Sequence, residues 1–411
     1  MGEGIDDELG IVTVVGIGED GWDGLGAAAR QALAGARLIV GGTRQLGLQP
    51  DGLRARRAPL PSPLLEHLDQ LVRDHRGLCL LASGDPMLHG IGATLARRLE
   101  PGRLRVFPGV SSVALACARL GWPEQEAEVV SLVSQPPEAV LAALRPGGRL
   151  IALCRDGRTP HRVARLLCEA GWADSEVTVL ERLGGPAERV REPRPASDLA
   201  ADDAEFADLC VLAVRPAAGV RTQAAGRLPG LPDAAFESDG QRTRRELRVL
   251  ALAALRPGPA ELLWDVGAGS GSVGIEWLRA EPLARAVAVE ARDDRAGRVR
   301  RNAAALGVPL LEVVTGAAPA ALARLPAPVA VFVGGGLTAG GLLEACWERL
   351  RPGGRLVAHA VTVESEAVLH RWQQARGGQL VRADLSYAEP LGGFTTWRPA
   401  LPVIQWQVTR P

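Results

Sequence analysis

The stretch LWDVGAGSGSVGIEWL, residues 263–278, constrains what this chain can fold into more than any other. An apolar run closes at Val266, the glycines Gly267, Gly269 and Gly271 follow, and an apolar, helix-like segment begins at once. A strand that feeds a helix through so tight a turn is the opening half of a βαβ unit. Such units build a parallel sheet covered by helices. The turn also gathers backbone N–H groups at a helix N-terminus, a place suited to a nucleotide.

Register decides which nucleotide. Counted from Gly269, the residues Gly269, Gly271 and Gly274 spell the dinucleotide fingerprint G-x-G-x-x-G. Counted from Asp265, the same loop reads D-x-G-x-G-x-G, the pattern expected for S-adenosylmethionine. The run LLWDV ends at Val266, so the turn begins at Gly267, and the third dinucleotide glycine would then fall on Ser272. The next apolar run, AVAVE, ends in Glu290, placed to accept hydrogen bonds from the two ribose hydroxyls. That acid is shared with NAD enzymes and does not discriminate. The glycine turn LRPGGRLV at 350–357, feeding a late strand, is a common feature of Rossmann-type methyltransferases. The loop is therefore read as an S-adenosylmethionine site.

The alternation extends in both directions. LEVV, VAVFVGG and RLVAHAV follow with helical segments between them. Upstream, IVTVV, LIVGG, LCLLAS, LRVFPG, EVVSL, RLIALC and DLCVLAV alternate with amphipathic stretches such as SPLLEHLDQLVRDH. Between the halves, PAAGVRTQAAGRLPGLPD is rich in Pro, Gly and Ala without periodicity and reads as a connection. Two α/β domains are expected, at 10–216 and 234–411, with a linker at 217–233. With 47% hydrophobic residues, each half can bury a core.

Charge narrows the function. Basic and acidic residues number 47 each, for a formal net charge of zero, and no basic stripe suggests a nucleic-acid partner. Every basic residue is arginine, which excludes a P-loop lysine, a Schiff-base lysine and pyridoxal phosphate attachment. The six cysteines are scattered, with no C-x-x-C pair and no histidine at metal spacing, so no metal is expected and the thiols read as buried in a reducing compartment. The start MGEGIDDELG is acidic and lacks the basic region of a secretory signal. No apolar run reaches the ~18 residues of a membrane span. A cytoplasmic protein without a membrane partner is expected.

Four segments of the second half, RTRRELRVLALAALRP, LLWDVGAGSGSVGIEWL, VTGAAPAAL and VAVFVGGG, stand in family order across about 236–409. They resemble the methyltransferases of cobalamin biosynthesis that methylate carbon 15 of a precorrin and remove the carboxyl group of its ring C acetate. The resemblance implies a class I Rossmann-like S-adenosylmethionine methyltransferase fold. It implies cofactor contacts from Thr243, Gly267, Ala268, Gly269, Ser270, Gly271, Glu290 and Ala317. GGGLTAGG at 334–341 departs from the Ser-containing turn expected there.

The first half carries VVGIGEDGWDGL, VGGTRQL, LLASGDPMLHGIG and PGVSSVALACARLGWP in order across 11–215. Together they resemble the tetrapyrrole methylases, specifically those acting at carbon 5 of a precorrin. A two-lobed α/β fold is implied, with Gly16, Gly18, Gly84, Asp85, Ile91, Ser111 and Ser112 at a cofactor cleft. Taken singly, each serine reads more readily as a helix cap. His89 stands where an aromatic residue is expected and reads as a substitution in the cleft wall.

The two resemblances together imply a fused, bifunctional C-methyltransferase of cobalamin biosynthesis, with one S-adenosylmethionine per domain, a precorrin as substrate, and self-association of the chain. Whether cobalt is already in the ring stays open. A methylase acting on RNA, an NAD-linked oxidoreductase and a non-catalytic sensor are the alternative classes. Methyl transfer from a sulfonium to an electron-rich enamine carbon needs alignment and exclusion of water more than a catalytic triad. Arg244, Arg245 and Arg398 are candidate partners of the substrate carboxylates.

Overall fold

The computed structural model describes residues 10–217, 226–240 and 243–411. The acidic start MGEGIDDEL and residues 218–225 of the expected linker lie outside the described residues. The chain divides into two compact units, Met1–Ser134 with Gly147–Cys168 and Trp172–Ala217, and Gln135–Pro146 with Glu169–Gly171 and Ala218–Pro411.

In the first unit, β1 (Val12–Ile17), β2 (Leu38–Gly41), β3 (Arg56–Pro59), β4 (Leu78–Ser83) and β5 (Leu104–Phe107) form an all-parallel sheet in the order β3-β2-β4-β1-β5. The inner strands are covered on both faces and so read as continuous apolar runs such as LCLLAS. Val14, Val40 and Leu80 bury one face, and Val15, Ile39 and Leu81 bury the other. The edge strand β3, sequence RRAP, has no apolar alternation and was not expected from the sequence.

A second, mixed sheet comprises β6 (Ala127–Ser131), β7 (Arg149–Leu153), β8 (Glu176–Glu181), β9 (Arg189–Val190), β10 (Arg194–Pro195) and β11 (Cys210–Arg215). Its main order is β10-β8-β11-β7-β6, with β11 antiparallel to both of its neighbours. The unit is thus two-lobed and α/β, as expected.

The second unit holds β12 (Leu262–Val266), β13 (Arg285–Glu290), β14 (Glu312–Thr315), β15 (Ala330–Val333), β16 (Arg355–Ala360), β17 (Gln379–Ala383), the hairpin β18 (Ser386–Leu391) and β19 (Phe394–Pro399), and β20 (Val403–Thr409). Its main sheet has the order β14-β13-β12-β15-β16-β20-β17. The last strand inserts antiparallel between β16 and β17. The dinucleotide fold instead runs 3-2-1-4-5-6. The inserted strand therefore separates this sheet from that fold and agrees with the Rossmann-like methyltransferase expectation. Among the described residues, no helix is long and apolar enough to cross a membrane.

Candidate active sites

Each unit has its own glycine-walled cleft, and each cleft follows from how its sheet ends. In the second unit the cleft lies at the carboxyl ends of β12, β13, β15 and β16, the crevice where open α/β sheets bind ligands. Its volume, about 700 Å³, lies within the range of small-molecule sites. Strand β12 stops at Val266 and the helix Ser272–Ala280 starts after Gly271. Between them Gly267, Gly269 and Gly271 have φ of 69°, 60° and 75°. This is the left-handed region that residues with a Cβ adopt at a cost, so the alternating glycines follow from the turn's backbone. A Cβ on Gly267 would stand 3.0 Å from the Gly335 nitrogen, so two glycine loops pass each other at the cleft floor.

Thr243, Gly267, Ala268, Gly269, Glu290 and Ala317 all line this cleft. Ser270 and Gly271 sit behind the wall. Ser270 is buried and its carbonyl accepts from Asn302 Nδ2 at 2.9 Å, while Gly271 packs so tightly that a Cβ would meet Val299 at 2.6 Å. Glu290 is buried, and its carboxylate accepts the Gly269 N–H at 2.8 Å and the Arg292 N–H at 3.1 Å. The acid therefore fixes the glycine loop, and each of its oxygens keeps lone-pair capacity for a ligand hydroxyl.

Behind the loop, Asp265 accepts the Gly274 N–H at 2.9 Å. Burial pushes its carboxyl up to about 7; the Gly274 hydrogen bond opposes the shift and the nearby Glu290 carboxylate reinforces it. Gly274, the third glycine of the dinucleotide register, thus lies inside the helix against the strand, away from the turn.

A buried polar network holds Thr243 in the cleft wall. The fully buried Arg248 donates to Glu276 at 2.8 Å, to Asp233 at 3.0 Å and to the carbonyl of Thr243 at 2.7 Å. Glu276 also accepts the N–H groups of Gly230 at 2.6 Å and Leu231 at 3.0 Å. Residues 230–233, expected as part of a linker, are therefore anchored in the second unit. Arg244 lines the cleft and stacks on Tyr387, its carbon Cζ 4.7 Å from the ring centre. Arg245 is not in the wall, and Arg398 pairs with Glu389 at 3.0 Å on the exposed hairpin.

Sequence reasoning passed over one residue of this wall. His359, on β16, lines the cleft and is only 8% exposed. Its Nε2 lies 2.8 Å from Gln405 Oε1, and its ring meets Phe332 edge-on with centroids 5.0 Å apart. Burial lowers its pKa below the ordinary imidazole range, against the opposing effect of the Gln405 hydrogen bond.

In the first unit the cleft, about 340 Å³, lies between the two sheets. Strand β4 ends at Ser83, and Gly84 turns the chain with φ 57°. Gly18, Gly84, Asp85, Ile91, Ser111 and Ser112 line this space. Gly16 does not. It lies one step behind, where a Cβ would collide with the Gly84 carbonyl oxygen at 1.9 Å, so its role is to let the strand ends approach. Ser111 caps the helix Ser112–Leu120, its Oγ accepting the Ala114 N–H at 3.0 Å, while Ser112 faces the cleft.

Arg44 pairs with Glu19 and donates to Ser83 Oγ at 2.7 Å, placing one guanidinium in the first cleft's wall. His89 also lines this cleft, with φ 52° and a pKa lowered by burial. Five of the six cysteines are buried, and Cys154 and Cys210 belong to the same wall.

Comparison with known proteins follows the same division. Residues 12–199 match the family model of tetrapyrrole (corrin/porphyrin) methylases, and residues 234–410 match that of the precorrin methyltransferase domain. A precorrin-6Y C(5,15)-methyltransferase (decarboxylating) from a Sinorhizobium species is 45% identical over 97% of this chain and 96% of its own length. The protein of the same name from Mycobacterium tuberculosis is 47% identical over 97% of this chain and the whole of its own. The crystal structure of the C-terminal domain of the Rhodobacter capsulatus precorrin-6Y C5,15-methyltransferase covers 45% of this chain and all of that domain, at 47% identity and a TM-score of 0.43. At such identity along nearly the whole length, the chain belongs to the family of decarboxylating precorrin-6Y C(5,15)-methyltransferases.

Proposed function

We propose that the chain methylates precorrin-6Y at carbons 5 and 15 and removes the carboxyl group of the ring C acetate, giving precorrin-8X, with one S-adenosylmethionine site in each unit. The first unit, expected at 10–216, acts at carbon 5. The second, expected at 234–411, acts at carbon 15 and decarboxylates. The observation that carries this reading is that each unit has a complete glycine-walled cleft of its own. Family membership supplies the reaction, and the two family models divide at the same place.

The second cleft fits the methyl donor. Its Gly267–Gly271 turn presents backbone amides, and Glu290 is held by Gly269 with acceptor capacity to spare. When bound, the donor supplies an electrophilic methyl group on a sulfonium. The residues around it orient the acceptor carbon in line and exclude water. Arg244 in the second cleft and Arg44 in the first offer guanidinium groups to the carboxylates of the substrate. Carbon 15 is bonded to ring C, which carries the acetate, so one bound pose serves both steps of the second unit.

Titration calorimetry of the intact protein with S-adenosylhomocysteine tests the two-site reading. Binding should approach two molecules per chain. Tight NAD binding in the second cleft, without binding of the methyl donor there, would overturn it.

A further inference from the structure

Among the described residues His359 is the one imidazole in the wall of the second cleft, and the amide facing its Nε2 assigns its tautomer. The register pairs His359 with Gln405 across β16 and β20, and Gln407 with Gln379 across β20 and β17. Gln405 and Gln407, two residues apart on one strand, share a face. A chain of side-chain hydrogen bonds results, with Gln405 Nε2 donating to Gln407 Oε1 and Gln407 Nε2 donating to Gln379 Oε1, each at 2.8 Å. Gln379 is exposed, so the donors run outward from the cleft to solvent. That direction leaves Gln405 Oε1 to accept from His359 Nε2 at 2.8 Å. The ring therefore carries its proton on Nε2, which leaves the lone pair on Nδ1.

The reaction assigned above to the second unit needs such a group. Methylation of a methine carbon replaces C–H by C–CH3: the carbon's electron pair forms the new bond, the electrons of the S–CH3 bond stay on sulfur, and a proton must leave the carbon. Loss of carbon dioxide from the ring C acetate breaks the C–CO2 bond, sends its electrons into the conjugated ring, and leaves a methylene that must take up a proton to become methyl. One proton leaves and one arrives, so a single base can carry both transfers with no oxidant, reductant or external acid.

We propose that His359 is a catalytic base and acid of the second cleft, its Nδ1 taking the proton from the methylated carbon and returning it to the methylene left by decarboxylation. The inference rests on the assignment of carbon 15 chemistry to this cleft. The hydrogen bond from Nε2 to Gln405 persists in the imidazolium and stabilises it while the proton is held. The buried setting favours its release.

The test uses the intact chain with precorrin-6Y and methyl-labelled donor, following carbon dioxide release. His359→Gln keeps a donor for Gln405 and removes the base. It should bind S-adenosylhomocysteine within about threefold of the wild type and release carbon dioxide at least about a hundredfold more slowly, the lower end of general acid–base effects. In His359→Ala, added imidazole should restore release in part. Release by His359→Gln at the wild-type rate would overturn the proposal. So would a defect in His359→Ala, with donor binding intact, that imidazole does not relieve. Ala317→Trp, which fills the second cleft, separates the underlying reading: if that variant still releases carbon dioxide, the assignment of the reaction to this cleft fails whatever His359 does.

Discussion

Replacing Glu290 by alanine tests the link between the glycine loop and the cofactor. The carboxylate does two things in one place. Towards the protein it accepts the N–H groups of Gly269 and Arg292, at 2.8 and 3.1 Å. Towards the cleft it is proposed to accept two ribose hydroxyls. Removing it leaves two backbone donors without their acceptor; an unsatisfied buried donor costs about 1–3 kcal/mol, and water entering the vacated space recovers part of that. A loss of about 2 kcal/mol in unfolding free energy is expected, leaving the chain folded. On the ligand side, charge-assisted bonds contribute roughly 1.5–3 kcal/mol each, and even half of one pair is a factor of about ten in dissociation constant. Calorimetry with S-adenosylhomocysteine on intact Glu290→Ala should therefore show one site of unchanged affinity and a second at least about tenfold weaker. Glu290→Gln, which keeps one acceptor for the loop, should lose less stability than alanine while still weakening the second site. A folded Glu290→Ala protein with both affinities unchanged would show that Glu290 does not hold the ribose.

Two further outcomes follow from the buried charges. Arg248→Ala strips Glu276 and Asp233 of their shared partner and frees the Thr243 carbonyl, so urea unfolding should show a loss of about 3–5 kcal/mol, and a loss under about 1 kcal/mol would contradict the network's role. Asp265 titrates near 7 in the folded chain against an ordinary value of 3.8. The folded state thus holds a proton that the unfolded state has released, and the associated stability, full below the ordinary value, is lost as pH rises through about 7. Measured by urea midpoints between those limits, the stability deficit of Asp265→Asn should shrink as pH rises; a deficit that grows with pH would show the sign to be wrong.

The sequence made the second cleft legible because glycine patterns record backbone geometry directly. Left-handed φ values at Gly267, Gly269 and Gly271 leave little alternative to glycine, and the end of LLWDV at Val266 sets the register. The first cleft was legible for the same reason at Gly84, where the chain turns out of β4. Gly16 was expected in the cleft wall and lies one layer behind it: a glycine required by backbone approach and one that opens a cleft look alike in sequence.

What was missed is polar or charged. β3 carries Arg56 and Arg57 on an edge that packing does not dictate. The strands after RLVAHAV escaped notice because Gln405 and Gln407 break the apolar run of β20, although V-I-Q-W-Q-V alternates once a strand is suspected. His359 was missed for a related reason. Alone in an apolar strand it looks like a core residue, and only the cross-strand register reveals the glutamines that orient it.

The division of labour between the two clefts is tested by the mass of the product made by intact chains in which one cleft is filled. Ser112→Trp obstructs the first and Ala317→Trp the second, both at residues lining the space concerned. With precorrin-6Y and methyl-labelled S-adenosylmethionine, the unaltered chain should yield a product with two labelled methyl groups and one carboxyl group fewer. Ser112→Trp should yield a product with one labelled methyl group and the same loss of carbon dioxide, and Ala317→Trp should release no carbon dioxide. Carbon dioxide released by Ala317→Trp, or retained by a Ser112→Trp protein that still binds the donor in its second cleft, would show that the two clefts do not divide the reaction in this way.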